Sequence, residues 1–396
     1  MKKSTYLNGF TFFVALVCLL TITLNMINGR FWLADFRVYY CAAKSFISGG
    51  QVYRISFDEG SGFFKYNPAT LFFFIPYLIF PYKAASVVHF FILGFAYWYT
   101  FIIIKKFLTG YFFPKPVKHE ILLLSITFGS ILIHFTRETY LGNINILLLL
   151  LSCAALLEIL QGNRKAGGIL LGIAILMKPY LVVLLLPLLL RRKFLPVVYT
   201  IITVAGISLL PMIYPGPVKG FELYREWLQT MLIHDQGFPG MTSISYFLSC
   251  FFFPDLPGFI EWLIFVSVYV VVAFSILDHM RQENKTGADI DAGGKNLAFE
   301  WFLILALLPN LIKTDWVLLL FSAPMIGFVI FNLADRSAFA WIPLLVLILF
   351  FYSANSDDLL GRTLSHQLLV TGAMGMSNLA LTAIAIIMFR QKKSTG

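Results

Sequence analysis

The sequence predicts an all-α integral membrane protein, a multispan helical transmembrane bundle, and three observations predict it. Hydrophobic residues make up 59% of the 396 positions and charged residues only 13%, against about 25% charged in soluble chains. The mean hydropathy is +0.81, more apolar surface than a water-soluble core could hide. The apolar stretches are long and are broken by polar connectors, which argues for helices rather than a barrel, whose strands alternate every second residue. Lysines and arginines cluster in short connectors, the pattern that orients helices in a bilayer.

Composition narrows the class further. Aromatic residues reach 17%, with 41 Phe, which suits a surface facing lipid. The net charge of +10 reads as loop bias in a membrane chain. No nucleic-acid-binding motif accompanies it, so no nucleic-acid partner is expected. Cys18 and Cys153 fall inside apolar runs; Cys41 and Cys250 could meet, but four free thiols are the better expectation than a disulfide framework. The start, MKK and then an apolar run from Phe10 to Ile27, resembles a signal peptide. The run is too long for one, and LNMINGR offers no small-residue cleavage site, so it reads as a retained first helix.

The elements follow in order. A helix needs roughly 20 apolar residues to span the hydrocarbon core. Segments 10–27, 84–104, 144–160, 195–213, 257–278, 316–333 and 368–389 satisfy this, and 121–135, 168–177, 180–190, 299–312 and 338–352 are shorter candidates. Basic clusters stand at Lys2-Lys3, Lys105-Lys106 with Lys115 and Lys118, Arg164-Lys165, Arg191-Arg192-Lys193, Arg281 to Lys295, Arg336, and Arg390 with Lys392-Lys393. Placing all of them in the cytoplasm gives about twelve crossings of the cell membrane with both termini cytoplasmic. Residues 1–396 then form a single polytopic domain, with a first extracytoplasmic loop at 28–83 that carries interfacial helices. A second such loop falls at 214–256, and a cytoplasmic loop at 279–298.

Two segments do not fit as simple crossings. The run 68–81, bounded by Pro68 and Pro81, would invert everything after it, so it should lie along or dip into the outer interface. The segment GGILLGIAILMKPYLVVLLLPLLLRRK has cytoplasmic charge at both ends, so it must turn back near Lys178-Pro179. Each arm has only about ten residues, or about 15 Å of helix, which would leave the tip deep in the membrane.

The outer side then receives an unexpected set of charges. Asp35, Arg37, Lys44, Arg54, Asp58, Glu59 and Lys65 fall in the first loop, followed by Arg137, Glu138 and Asn143, Lys178 at the hairpin tip, Lys313 and Asp315 at a second tip, and Asp357-Asp358 with Arg362. Asp35 could cap a short interfacial helix from Phe36 to Ile47, with Phe36, Tyr40, Ala43, Phe46 and Ile47 on one face. The sharper reading makes it a base at the mouth of an outward cavity. Arg37, Arg137, Lys178 and Lys313 could each be a snorkelling anchor. Four cations on the side where they are scarce are better explained by an anion, a lipid phosphate above all. His134, His234 and His366 are too scattered for a metal site, no Asp-x-Asp motif occurs, and Ser243 and Ser245 lack a nucleophile-elbow context. No metal or other cofactor is expected.

The run DFRVYYCAAKSFISGGQVY and then KYNPATLFFFIPYLIFP resemble the first outer loop of glycosyltransferase family 87, polyprenyl-phosphate-dependent mannosyltransferases of the GT-C superfamily. LGNINILLLLLSCAALL and the GGILLGIAILMKPYLVVLLLPLLLRRK segment are similar to that family's later pattern. The resemblance is good over 30–195, vaguer at GMTSISYFL and weak beyond Lys313. It implies that Asp35 is the catalytic acidic residue after the first span, that Tyr66 and Pro68 belong to the loop motif, and that Lys178 is the family's lysine before proline. Asn143 stands where glutamine is common. KTDW at 313–316 stands where many members carry a proline and then histidines near a tryptophan.

Both lines lead to one expectation. The chain should be an inverting glycosyltransferase that moves a hexose, mannose first, from a polyprenyl-phosphate-sugar donor to a glycan or glycolipid acceptor, with membrane lipids around it. Asp35 would be the general base, and Arg37, Arg137, Lys178 and Lys313 would hold the donor phosphate. Tyr66, Asn143 and Asp315 would line the substrate site. A transporter or flippase of lipid-linked sugars is the alternative, since intramembrane charges mark substrate paths there too. Internal repeats would favour it, and none is evident. A polymerase using a lipid diphosphate donor stays open.

Overall fold

A computed structural model describes residues 2–394, apart from 30, 32, 58–61, 116, 236–239, 255, 287–289, 337–340 and 354–355. Asp58 and Glu59 of the first loop lie outside the described residues, as do the side chains of His234 and Asp358. The described chain is helical, with one isolated bridge between Ser56 and Phe63. Six helices are long and apolar enough to cross a membrane: Gly9–Ile27, Tyr82–Phe112, Phe194–Ile213, Gly258–Glu283, Trp316–Ala334 and Ala373–Gln391. A seventh crossing follows if the pair Glu120–Ser130 and Leu132–Leu141, bent by 55°, counts as one span. Most of the remaining expected crossings are short helices, and the helix Ile290–Leu311 is long but carries polar residues through its first half, which is why this count falls below twelve.

In chain order, α1 (Lys2–Ile27) is followed by α2 (Ala34–Ile47). Residues 68–79 form two short 3-10 turns around α3 (Leu71–Phe74), broken at Pro76 where the ring cannot continue a helix ladder. Then come α4 (Tyr82–Phe107), α5 (Glu120–Ser130), α6 (Leu132–Leu141), α7 (Asn145–Leu160) and α8 (Arg164–Met177). After a 3-10 turn over 179–184 follow α9 (Leu185–Leu190), α10 (Phe194–Ser208), α11 (Leu210–Ile213), α12 (Pro217–Asp235), α13 (Ile244–Phe251), α14 (Gly258–Thr286) and α15 (Ile290–Leu311). The chain closes with α16 (Ala323–Arg336), α17 (Ile342–Tyr352), α18 (Asp357–Leu360), α19 (Arg362–Val370) and α20 (Ala373–Ser394).

The helix after the first span differs from expectation in two ways. It begins at Ala34, not Phe36, and its buried stripe is Phe36, Val38, Tyr39, Ala42, Ala43 and Phe46, while Ile47 is exposed. The stripe is rotated because α2 packs on two neighbours at once: Phe36 stacks on His89 of α4, and Tyr39 packs against Phe74 of α3. Leu33, in a left-handed conformation, occupies the N-cap position and no side chain caps the helix. Asp35 is therefore not a cap.

Helices α7, α8 and α10 set the orientation of the site. A Cβ on Gly167 would meet Ile159 and the Ala155 carbonyl of α7, so α7 and α8 are antiparallel and in close contact. Gly168 and Gly172, a small-xxx-small pair, seat α10: the first abuts the Pro196 carbonyl, the second Thr203 and the Thr200 carbonyl. Thr200 donates to the Gly168 carbonyl at 3.0 Å. Residue 196 thus sits near the start of α8 and 203 further along it. The chain has doubled back between Met177 and Phe194, and the break is at Lys178, extended at φ −135°, ahead of Pro179.

Charges sort along these axes. Lys178 lies one length of α8, about 21 Å, from Arg164-Lys165. Arg191 shares the Arg164 end and donates to Glu283 at 3.0 and 3.1 Å and to Glu300 at 2.7 and 2.8 Å. Lys105, at the far end of α4 from His89, pairs with Glu120 at 3.1 Å. Three basic clusters therefore gather at one end of the bundle, and the opposite end is left for the site. In the centre, 297–308 and 317–332 are almost wholly buried, and an amide network ties them to neighbouring helices: Asn378 donates to the Ala306 carbonyl and to Asn310, and Asn310 to the Thr242 carbonyl.

Candidate active site

The site is built where the turn between α6 and α7 meets the start of α2. Gly142 makes the approach feasible. Its φ is +66°, a conformation costly for other residues, and a Cβ there would stand 2.8 Å from Cβ of Phe36 and 3.2 Å from Cβ of Leu33. His89 bonds the Gly142 carbonyl through Nε2 at 3.0 Å while Nδ1 meets the Tyr77 hydroxyl at 2.9 Å, which pins the turn from the other side.

Pinned there, Asn143 donates from Nδ2 to Oδ2 of Asp35 at 2.7 Å. Its Oδ1 accepts from the Ile144 amide at 2.7 Å and from the Tyr66 hydroxyl at 3.4 Å, so the amide can point only one way. Tyr66 and Tyr39 share a hydroxyl contact of 2.9 Å, and Tyr53 donates to the Tyr66 carbonyl at 2.7 Å. Asp35 occupies the first turn of α2, where the helix dipole favours a negative charge.

Lys178 completes the group. Its ammonium donates to Oδ1 of Asn145 at 2.5 Å and lies 5.8 Å from the Tyr66 ring and 5.9 Å from the Tyr180 ring, within cation–π reach. Burial pushes the Asp35 carboxyl above its ordinary value. Lys178, the Asn143 bond and Lys65 oppose the shift, and the Asp315 carboxylate adds to it. Burial in turn lowers the Lys65 ammonium, against the pull of Asp35 and Asp315. These four charges feel one another.

The other expected residues lie further out. Asp315 caps the 3-10 turn 316–322 by accepting from the Val317 amide at 3.0 Å. Arg37 holds its guanidinium 5.6 Å from the Tyr82 ring. Arg137 lies 5.8 Å from both the Tyr140 and Trp316 rings, with a buried Nε that has no hydrogen bond among the described residues. Lys313 is exposed and paired with Glu261 at 2.8 Å. The structure therefore brings together Asp35, Tyr66, Asn143 and Lys178, with Asp315 in electrostatic reach. It does not gather Arg37, Arg137 and Lys313 around them.

Sequence reasoning assigned no role to Glu138, Asn145 and Lys65. The signal was present in RETYLGNIN, where a carboxylate and two amides flank a glycine at the junction of two apolar runs. The remaining candidates are structural. His134 is buried against Trp316 and Tyr352. Ser243 caps α13 through the Tyr246 amide, Asp357 is exposed, and none of the four cysteines is in a disulfide. Among the described residues no group of three or more His, Cys, Asp and Glu could hold a metal ion.

The fold and the site define a polytopic, all-helical membrane protein with a cluster of charged and amide side chains at one end of its bundle. The pattern of glycosyltransferase family 87 matches residues 63–290, more than half of the chain. No curated protein matches the sequence. The chain belongs to glycosyltransferase family 87 and is a membrane glycosyltransferase.

Proposed function

We propose that this enzyme transfers a hexose, mannose first, from a polyprenyl-phosphate sugar to a hydroxyl of a glycan or glycolipid acceptor on the extracytoplasmic side of the cell membrane. The observation that carries the reading is that Asp35, held by Asn143, and the Lys178 ammonium lie within electrostatic reach of each other in one part-buried cluster. Asp35 takes the proton of the acceptor hydroxyl as that oxygen attacks the anomeric carbon. The bond from that carbon to the phosphate oxygen breaks, and polyprenyl phosphate leaves with the electron pair. Attack from the face opposite the leaving group inverts the centre.

Lys178 stabilises the charge that develops on the leaving phosphate, the role in which a fixed cation contributes most. Arg137, with an unsatisfied Nε, is the second phosphate contact; Arg37 and Lys313 stand at the periphery. Tyr66 and Asn143 orient Asp35 and the sugar, and Asp315 tunes the base. A mostly apolar cleft of about 200 Å³, lined by Phe74, Tyr77, Ile144, Leu147, Ile173 and Met177, the residue before Lys178, supports a prenyl chain as the anchor of the donor. A larger apolar cleft of about 530 Å³ at α13 and α14 has no charged lining residue and lies apart from this chemistry.

The basic clusters at the opposite end support the orientation and a single polytopic domain with the loop 28–83 over the site. The test is a donor screen on protein reconstituted in liposomes, with polyprenyl-phosphate mannose, polyprenyl-phosphate glucose and nucleotide sugars. Transfer from a polyprenyl-phosphate sugar is the expected result. Transfer from nucleotide sugars alone would overturn the donor assignment.

A further inference from the structure

Glu138 is a charge beside this site that the proposed reaction does not use. It is completely buried, where an ionised carboxylate is costly unless its bonds are satisfied. Its Oε1 accepts from the Ile146 amide at 3.1 Å, and its Oε2 accepts from Nδ2 of Asn145 at 3.0 Å. The first bond caps the start of α7, a task a neutral glutamine would do as well. The second sets up something a cap does not need. The same Asn145 amide presents its oxygen to the Lys178 ammonium at 2.5 Å. Its nitrogen faces a carboxylate and its oxygen a cation, so the reversed orientation would place like against like at both ends.

We propose that Glu138 is a positioning residue that acts through Asn145 to hold the Lys178 ammonium, charged and aimed, for an anionic lipid phosphate. This deepens the proposed function and rests on its assignment of Lys178. The ammonium has three donors. Asn145 takes one and fixes the direction of the others, while Tyr66 and Tyr180 flank the charge with ring faces. The backbone break at Lys178-Pro179 carries the ammonium to the Asn145 end of α7, and the hydrogen bond joins residues 33 apart in sequence. Carboxylate, amide and ammonium thus form a line from α6 through α7 to the end of α8.

Glu138→Gln keeps the cap and removes the charge; Asn145→Ala keeps the charge and cuts the line. Two measurements separate this role from a structural one. The first is the reactivity of the Lys178 amine toward acetic anhydride, read by mass spectrometry on the reconstituted protein, which needs no donor. Both variants should change it severalfold relative to the other lysines, and an unchanged Lys178 in both would overturn the proposal. The second is binding of polyprenyl monophosphate to the parent, Glu138→Gln, Lys178→Met and the double variant. Residues in one hydrogen-bond network couple, so Glu138→Gln should weaken binding on the order of tenfold in the parent background and add little once Lys178 is gone. Equal losses in both backgrounds would make Glu138 a cap alone. If the amine changes as expected but polyprenyl monophosphate binds no variant or parent, the positioning of Lys178 stands and the lipid-phosphate reading falls.

Discussion

Replacing Asp35 by Asn tests the proposed chemistry at its centre. The Asn side chain has nearly the same size, and its oxygen can accept the bond from Nδ2 of Asn143 that now measures 2.7 Å. No helix cap is lost, because the carboxyl caps nothing. Burial already penalises the ionised carboxyl and raises its pKa, so a neutral side chain removes a cost and the thermal unfolding temperature should hold or rise. What disappears is proton acceptance, together with the charge that Lys178 and Lys65 face. General-base catalysis contributes about 10²–10⁴-fold, or about 3–5 kcal/mol of barrier, so turnover of polyprenyl-phosphate mannose should fall by that factor. The assay pairs single-turnover transfer with donor binding and a melting curve on the same preparation. Turnover within about threefold of the parent would refute the base, and a collapse in unfolding temperature would give Asp35 a structural role instead.

Lys178→Met and Arg137→Ala should each weaken donor use about ten- to a hundredfold, since hydrogen bonds to charged groups are worth about 1.5–3 kcal/mol; steady-state kinetics with varied donor checks this, and unchanged donor handling makes both residues anchors. Asp35 must be ionised to act, so activity is lost as pH falls through its raised pKa; Asp315 adds to that rise and Lys65 opposes it. Asp315→Asn, which can still cap 316–322, should therefore move the acid limb of the pH–rate profile to lower pH, and Lys65→Met should move it higher. Gly142→Ala forces a left-handed conformation costing about 1–2 kcal/mol and a contact 2.8 Å from Phe36; both stability and turnover should fall, and an unaffected variant would mean the turn does not position Asn143. Single cysteines near Pro217 and Asp357 should label from outside and those near Lys115 only from inside; the reverse pattern would invert the orientation.

What the sequence determined is what depends on local chemistry. Twenty apolar residues in a row can satisfy their backbone in lipid only as a helix, so the runs beginning near Phe10, Tyr82, Phe194, Gly258, Trp316 and Ala373 were legible as spans. Pro179 cannot continue the ladder of α8, so the turn at Lys178 was legible too. The resemblance singled out Asp35, Tyr66 and Lys178 as site residues, and the family match over 63–290 agrees with the family itself. What only the tertiary structure decided is who meets whom. Apolar periodicity put Tyr40 and Ile47 on the buried face of α2, but the packing of α2 on both α3 and α4 rotated that face. Four cations looked equivalent in the sequence. Glu261 pairs with Lys313, aromatic rings lie near Arg37 and Arg137, and Lys178 bonds to Asn145 within electrostatic reach of Asp35. Asn145 and Glu138 acquired meaning because Gly142 lets the α6–α7 turn close on α2 while α8 lies antiparallel to α7. Those contacts join residues 33 and 108 positions apart, and at such separations the partner is set by helix packing, which no local pattern of residues encodes.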